Sequence, residues 1–144
     1  MDGGQLDVSA GGVFAIEPLD GIKRHEEMDT QRARALLERI ALSGVWTHPL
    51  LVEAETGILL DGHHRYWCAQ RLGFDWIPTF RIAYADENLE VLSWRPDYPV
   101  TREVVIEAGV SGHLLPKKTS RHLYSGHLPG CAIPLDVLKR RQAA

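Results

Sequence analysis

The segment Leu59 to Gly73, LLDGHHRYWCAQRLG, constrains the fold more than any other part of the chain. An apolar strand end runs through Asp61-Gly62 straight into a helical stretch, which Gly73 stops. A strand that turns on glycine into a helix leaves the first N–H groups of that helix unpaired, beside the positive end of its dipole. Such a junction sets a strand end against a helix start and calls for a mixed α and β architecture.

The flanking sequence supplies the other elements. Val13 to Ile22 alternates loosely and turns at Pro18 and Asp20-Gly21, a short strand and a turn. From Thr30 the residues Ala33, Leu36, Leu37, Ile40 and Ala41 recur on one helical stripe, with Asp29 or Thr30 as cap and Gly44 as stop. Leu50 to Glu53 and Ile58 to Leu60 read as two strands joined by a turn ending in Gly57. Pro78 opens a further strand, Thr79 to Tyr84, and Leu89 to Trp94 reads as another. Thr101 caps a short helix that Gly109 is expected to stop. The remainder, from Leu114, reads as mostly irregular, with a short helix from about Leu135. No repeat or low-complexity tract interrupts this order, which describes a small α/β or α+β domain. The Gly-rich opening, residues 1–12, reads as a flexible tail, and residues 13–144 as one domain.

Bulk properties exclude several classes. No apolar run approaches the roughly 18 residues a membrane helix needs. The opening MDGGQLDVSAGG has neither a basic nor an apolar leader region, so no secretory signal is read. A net charge of −3 argues against a dedicated nucleic-acid binder but leaves room for a local basic patch. Cys68 and Cys131 show no metal-binding spacing and fit a reducing cytoplasm; Cys68, in mid-helix, reads as a small core residue. Trp46, Trp76 and Trp94 read as core or rim aromatics, with pocket lining as the alternative for Trp94, ahead of Arg95-Pro96.

Three polar clusters carry the candidate chemistry. At the junction, Gly62 permits close ligand approach, and His63, His64 and Arg65 add donors for phosphate oxygens to the unpaired N–H groups. Asp61, a carboxylate beside phosphates, suits Mg²⁺ or a hydroxyl; the plain alternative is a solvated helix start. RHEE, Arg24 to Glu27, precedes the first helix, where an acid also serves as a cap. PKKTSRH, Pro116 to His122, reads as a loop with phosphate-compatible cations and hydroxyls, or as a charged solvated surface. All three suit phosphate, so a shared site is expected.

LLDGHHRYWCAQRLG resembles the phosphate-binding turn of the ParB/sulfiredoxin superfamily, and within it the free L-serine kinases. The likeness extends through HEE, SGVWTHP, LSWRPDYP and KKTSRH, from about Ile16 to the C-terminus. The short interval from Trp94 to Lys117 marks a minimal form without the inserted domain of archaeal members. Sulfiredoxins carry a cysteine nucleophile where this chain has His63, and ParB-type switches continue into a DNA-binding helical pair that is not found here. Neither thiol chemistry nor DNA binding is therefore expected.

The resemblance implies an α+β, ParB/sulfiredoxin-like fold with a small mixed sheet and flanking helices. It implies phosphoryl transfer from ATP or ADP to the hydroxyl of free L-serine, giving O-phospho-L-serine. Glu26 would be the general base, Asp61 a Mg²⁺ ligand or acceptor-orienting group, and His64 a further catalytic contact. Gly62, His63, His64 and Arg65 would bind the nucleotide phosphates. Trp94, Lys118, Thr119, Ser120, Arg121 and His122 would bind the amino acid. A non-catalytic nucleotide-binding module, or a kinase for another small hydroxylated metabolite, are the competing expectations.

Overall fold

The structure is a computed structural model and describes residues 11–139. Its elements, in order, are β1 (Gly12–Pro18), a 3-10 turn (Leu19–Gly21), α1 (Thr30–Ser43), β2 (Val45–Trp46), β3 (Leu50–Glu53), β4 (Leu59–Asp61), α2 (His63–Arg71), β5 (Trp76–Ile82), β6 (Leu89–Ser93), α3 (Arg102–Ser111), β7 (Ser120–Tyr124), β8 (Ile133–Pro134) and α4 (Leu135–Lys139). Four strands form a mixed sheet in the order β1-β5-β3-β4. The β1–β5 and β3–β4 pairs are antiparallel, and β3–β5 is parallel, with Leu50 opposite Thr79. The return from β3 to β5 passes through β4 and α2, so the Asp61–His63 junction sits at the end of the sheet's last strand. Two smaller pairs, β2–β8 and β6–β7, complete the β structure. The class is α+β, a small mixed sheet with flanking helices, as expected.

All four residues of β3 are buried because both faces of the sheet are covered. Leu50 and Val52 pack with Leu59 and Ile77 under Ile40 of α1, Cys68 and Ala69 of α2 and Leu138 of α4. Leu51 points the other way, into a second core with Ile58, Leu60, Phe80, Ile82 and Val105 of α3. A fully buried Leu or Ile contributes about 1.5–3 kcal/mol over an exposed one. The Cys68 thiol donates to the Ala33 carbonyl at 3.4 Å, and burial pushes its pKa up, so it is a core residue where α1 meets α2.

Several expectations shift. Gly12 already pairs with Ile82, so ordered strand begins within the expected tail; the rest of that tail, residues 1–10, lies outside the described residues. Ala41 is exposed, and the buried stripe of α1 rests on Ala33 and Ile40, with Leu36 and Leu37 half-buried. Pro78 does not open its strand. It lies inside β5 opposite Ile16, one residue before the β3 ladder begins, where its missing N–H costs nothing on that side. Gly109 does not stop α3: a Cβ there would meet Ile58 at 2.7 Å, so it is a packing glycine, and Gly112, at φ 81°, ends the helix. The largest correction falls on Ser120 to Tyr124, read as irregular but forming β7 against β6.

Candidate active site

Gly62 is the N-cap of α2 at φ 109°, a left-handed conformation that disfavours residues with a Cβ, and no side chain caps the helix. A Cβ there would also lie 2.8 Å from Leu50 Cδ2. The sequence thus builds a junction that brings the start of α2 to the sheet edge and leaves it open to a ligand. The cleft in front of it, about 1040 Å³, is lined by the Glu26–Asp29 approach to α1, the 61–65 junction, Trp94 and the Lys117–His122 segment. The three polar clusters meet. Eleven of the twelve candidate residues line this space: Glu26; Asp61, Gly62, His63, His64 and Arg65; Trp94; and Lys118, Ser120, Arg121 and His122. Thr119 does not. It is fully buried, and its hydroxyl donates to the Pro116 carbonyl at 2.5 Å, which shapes the loop rather than facing a ligand.

Glu26 ties the first cluster to the third. Its carboxylate accepts from Lys118 N at 3.0 Å, Ser120 N at 2.8 Å and Ser120 Oγ at 2.7 Å. It is therefore neither a helix cap nor free; Asp29 is the cap of α1, accepting from the N–H groups of Gln31 and Arg32. Lys118 pays for this grip with a left-handed backbone at φ 57°, uncommon for a residue with a side chain. Arg95 braces the same turn by donating to Lys117 O at 2.9 Å and Lys118 O at 3.3 Å. Arg121 stacks its guanidinium 4.6 Å from the Trp94 ring centroid, which fixes the half-exposed Trp94 on the cleft wall.

Four histidines surround the junction. Burial holds His25, His63 and His64 below the usual imidazole range, His63 well below it, and pushes His122 down to about 3. Each is thus a neutral ring at neutral pH. His122 Nε2 and the Tyr84 hydroxyl are hydrogen-bonded at 2.7 Å. His63 Nε2 accepts from His25 N at 3.4 Å, while His64 Nε2 is buried without a hydrogen-bond partner beside the cleft. Crowding by protein raises the Asp61 carboxyl, against the pull of Gly62 N–H, Arg65 and His64.

Sequence reading missed several residues that bear on the cleft. Arg32 of α1 and the His48-Pro49 loop line it, as does Leu128 to Gly130. The loop is set by Trp46, fully buried, whose Nε1 donates to His48 O at 2.7 Å. A basic residue one turn into an amphipathic helix gives no signal of its own. His25, beside Glu26, stood inside a cluster already singled out, yet its part depends on contacts to Leu59 and Ser120 that no local pattern shows.

Fold and cleft define an α+β domain built around a phosphate-compatible helix start, and its fold is found in solved free serine kinases. A free serine kinase carrying a glutamate-to-alanine substitution, in complex with ADP, superposes with a TM-score of 0.77 at 16% identity, over 89% of this chain and 94% of that one. In sequence the chain is 35% identical over 89 residues to the ATP-dependent L-serine kinase of Staphylothermus marinus, a match spanning 56% of this chain and 35% of that protein. It is 29% identical over 98 residues to the ADP-dependent L-serine kinase SerK of Thermococcus kodakarensis, spanning 65% and 40%. The matched region thus covers well under half the length of these relatives. No family model matches.

Proposed function

We propose that the protein is a kinase that transfers a phosphoryl group from ATP or ADP to the hydroxyl of free L-serine, giving O-phospho-L-serine. The observation that carries this reading is the meeting of the Asp61–Arg65 junction, Glu26 and the Lys117–His122 segment in one cleft. The fold it shares with a free serine kinase and its similarity to two L-serine kinases support it. The cleft volume, about 1040 Å³, lies just above the roughly 300–1,000 Å³ typical of ligand pockets. That leaves room for a nucleotide and a small acceptor together.

Phosphoryl transfer needs positioning and neutralisation of charge more than covalent help. The start of α2, with Gly62, His63, His64 and Arg65, holds the nucleotide phosphates; the unpartnered His64 Nε2 is a ready contact for one oxygen. Lys118, Ser120, Arg121 and His122 face the acceptor across the cleft, with Trp94 as a wall, and Arg121 is suited to its carboxylate. Glu26 takes the hydroxyl proton. Among the described residues no group of three His, Cys, Asp or Glu side chains could hold a metal ion by itself. A single carboxylate, Asp61, fits the usual Mg²⁺ arrangement of one or two carboxylates plus substrate phosphates. Mg²⁺ bound there would neutralise charge on the transferring group. No described helix is long and apolar enough to cross a membrane, and two free thiols suit a reducing cytoplasm.

The test is incubation with ATP or ADP, Mg²⁺ and a panel of hydroxylated amino acids and small alcohols, with products read by phosphorus NMR. O-phospho-L-serine as the main product is expected. Phosphorylation of another panel member instead would reassign the acceptor, and nucleotide binding without any product would leave a non-catalytic module.

A further inference from the structure

His25 is fully buried and makes two short side-chain contacts. Its Nδ1 lies 2.7 Å from Leu59 O, and its Nε2 2.7 Å from Ser120 Oγ, which is itself 2.7 Å from Glu26 Oε1. A carbonyl oxygen only accepts, so Nδ1 must carry the ring hydrogen. Burial disfavours the imidazolium, leaving Nε2 an acceptor. The Ser120 hydroxyl then faces two acceptors, Nε2 and the Glu26 carboxylate, with one hydrogen for two contacts. The chain is one proton short.

We propose that His25, Ser120 and Glu26 form a hydrogen-bonded relay that accepts one proton through Glu26 and stores it on His25. This rests on the kinase reading for its substrate, the acceptor hydroxyl. In the reaction, the acceptor O–H bond breaks as its oxygen bonds to the terminal phosphorus. The P–O bond to the nucleotide breaks, and its electron pair leaves on the nucleotide phosphate. The proton passes to Glu26; Ser120 receives a hydrogen from Glu26 and gives its own to Nε2. Glu26 is again a carboxylate, His25 is an imidazolium, and both contacts of Ser120 are satisfied. Proton loss to solvent on product release resets the chain.

The neighbours permit this. His63 of α2 stands edge-on to His25 with centroids 4.7 Å apart, and His122 of β7 at 5.6 Å. Both are held neutral by burial, so neither presents a competing cation. Glu26, whose Oε1 is 4.0 Å from His25 Nε2, is the carboxylate that steadies the imidazolium. His25 reaches no substrate and acts through Glu26, so it is a positioning residue.

Two measurements decide. In the full chain without substrate, labelled for NMR, the His25 ring nitrogens should report hydrogen on Nδ1 and none on Nε2, and their titration midpoint should move in Ser120→Ala and in Glu26→Gln. Ser120→Thr, which keeps the hydroxyl, should leave it unmoved. A His25 midpoint indifferent to both Ser120→Ala and Glu26→Gln overturns the relay whatever the substrate. In single-turnover transfer to L-serine, Ser120→Ala and His25→Gln should each slow the chemical step at least about tenfold; the KM for L-serine should stay within about twofold in His25→Gln, whose side chain reaches no substrate, while Ser120→Ala, at a residue that also faces the acceptor, is read on the rate alone. The double variant should be no slower than the slower single one, and Ser120→Thr should stay within about threefold. Multiplicative losses, or a His25→Gln variant at the parent rate, overturn it; if His25→Gln does not fold, the Ser120→Ala and Ser120→Thr variants decide by themselves. A His25 midpoint that responds to Ser120→Ala and Glu26→Gln in a protein that phosphorylates no panel member would uphold the proton-sharing chain and remove the kinase reading.

Discussion

Glu26 holds the Lys118–Ser120 backbone as well as facing the cleft, so replacing it tests two duties together. Glu26→Gln turns one acceptor oxygen into a donor amide among three donors. If Glu26 is the base, as proposed, turnover should fall by about 10²–10⁴-fold. Urea unfolding should also show a loss of about 1–3 kcal/mol from the donor left without an acceptor. A helix cap alone would have predicted a smaller cost, about 0.3–1 kcal/mol for an acid near a helix start, and little effect on turnover. Arg65 has the simpler role. If it binds phosphate at the start of α2, Arg65→Ala should weaken nucleotide binding by about 1.5–3 kcal/mol in calorimetric titration. Cys68 is buried on the Ala33 carbonyl, so Cys68→Ser should lower stability modestly and leave turnover nearly intact.

At the scale of elements, the strand–glycine–helix junction was legible because local chemistry dictates it: few residues but glycine fit a left-handed N-cap packed on Leu50. Gly62→Ala should therefore cost about 1–2 kcal/mol in backbone strain, before the Leu50 clash is counted. If the start of α2 holds the nucleotide, as proposed, Gly62→Ala should also weaken nucleotide binding, read in the same calorimeter. The helix stripe on Ala33 and Ile40 was legible for the same local reason. What escaped was set by distant partners. Ser120 to Tyr124 has the charged and polar look of a loop, but pairing with β6 makes it a strand whose inward residues, Ser120 and His122, are buried. Gly109 looked like a stop because its neighbour across the core, Ile58, is invisible in the local sequence. Glu53 is another such case. It is buried at 3% exposure, and its carboxylate accepts from Glu55 N, Thr56 N, Thr56 Oγ1 and Tyr84 N. Glu53→Ala should be among the more damaging single changes, at about 3 kcal/mol by urea unfolding, because one buried donor, Tyr84 N, and three part-buried ones lose their acceptor together.

For the whole molecule, the buried neutral histidines make stability depend on pH. His122 is pushed down to about 3 in the fold, whereas in the unfolded chain it binds a proton below about 6.5. Between those limits the unfolded chain holds more protons, so stability rises with pH and is lost as pH falls from about 6.5 towards 3. His122 alone should remove about 2 kcal/mol between pH 7.5 and pH 5, and His25 and His63 act in the same direction. Urea unfolding at the two pH values checks this, and His122→Gln should flatten the dependence. The grip of Glu26 on Lys118 and Ser120 joins residues 92 and 94 positions apart in the chain. Closing so long a loop costs more entropy than closing a local turn, and non-local contacts form late. In a refolding time course, recovery of activity should lag behind the return of helical signal, because the cleft is assembled by the last contacts the chain makes.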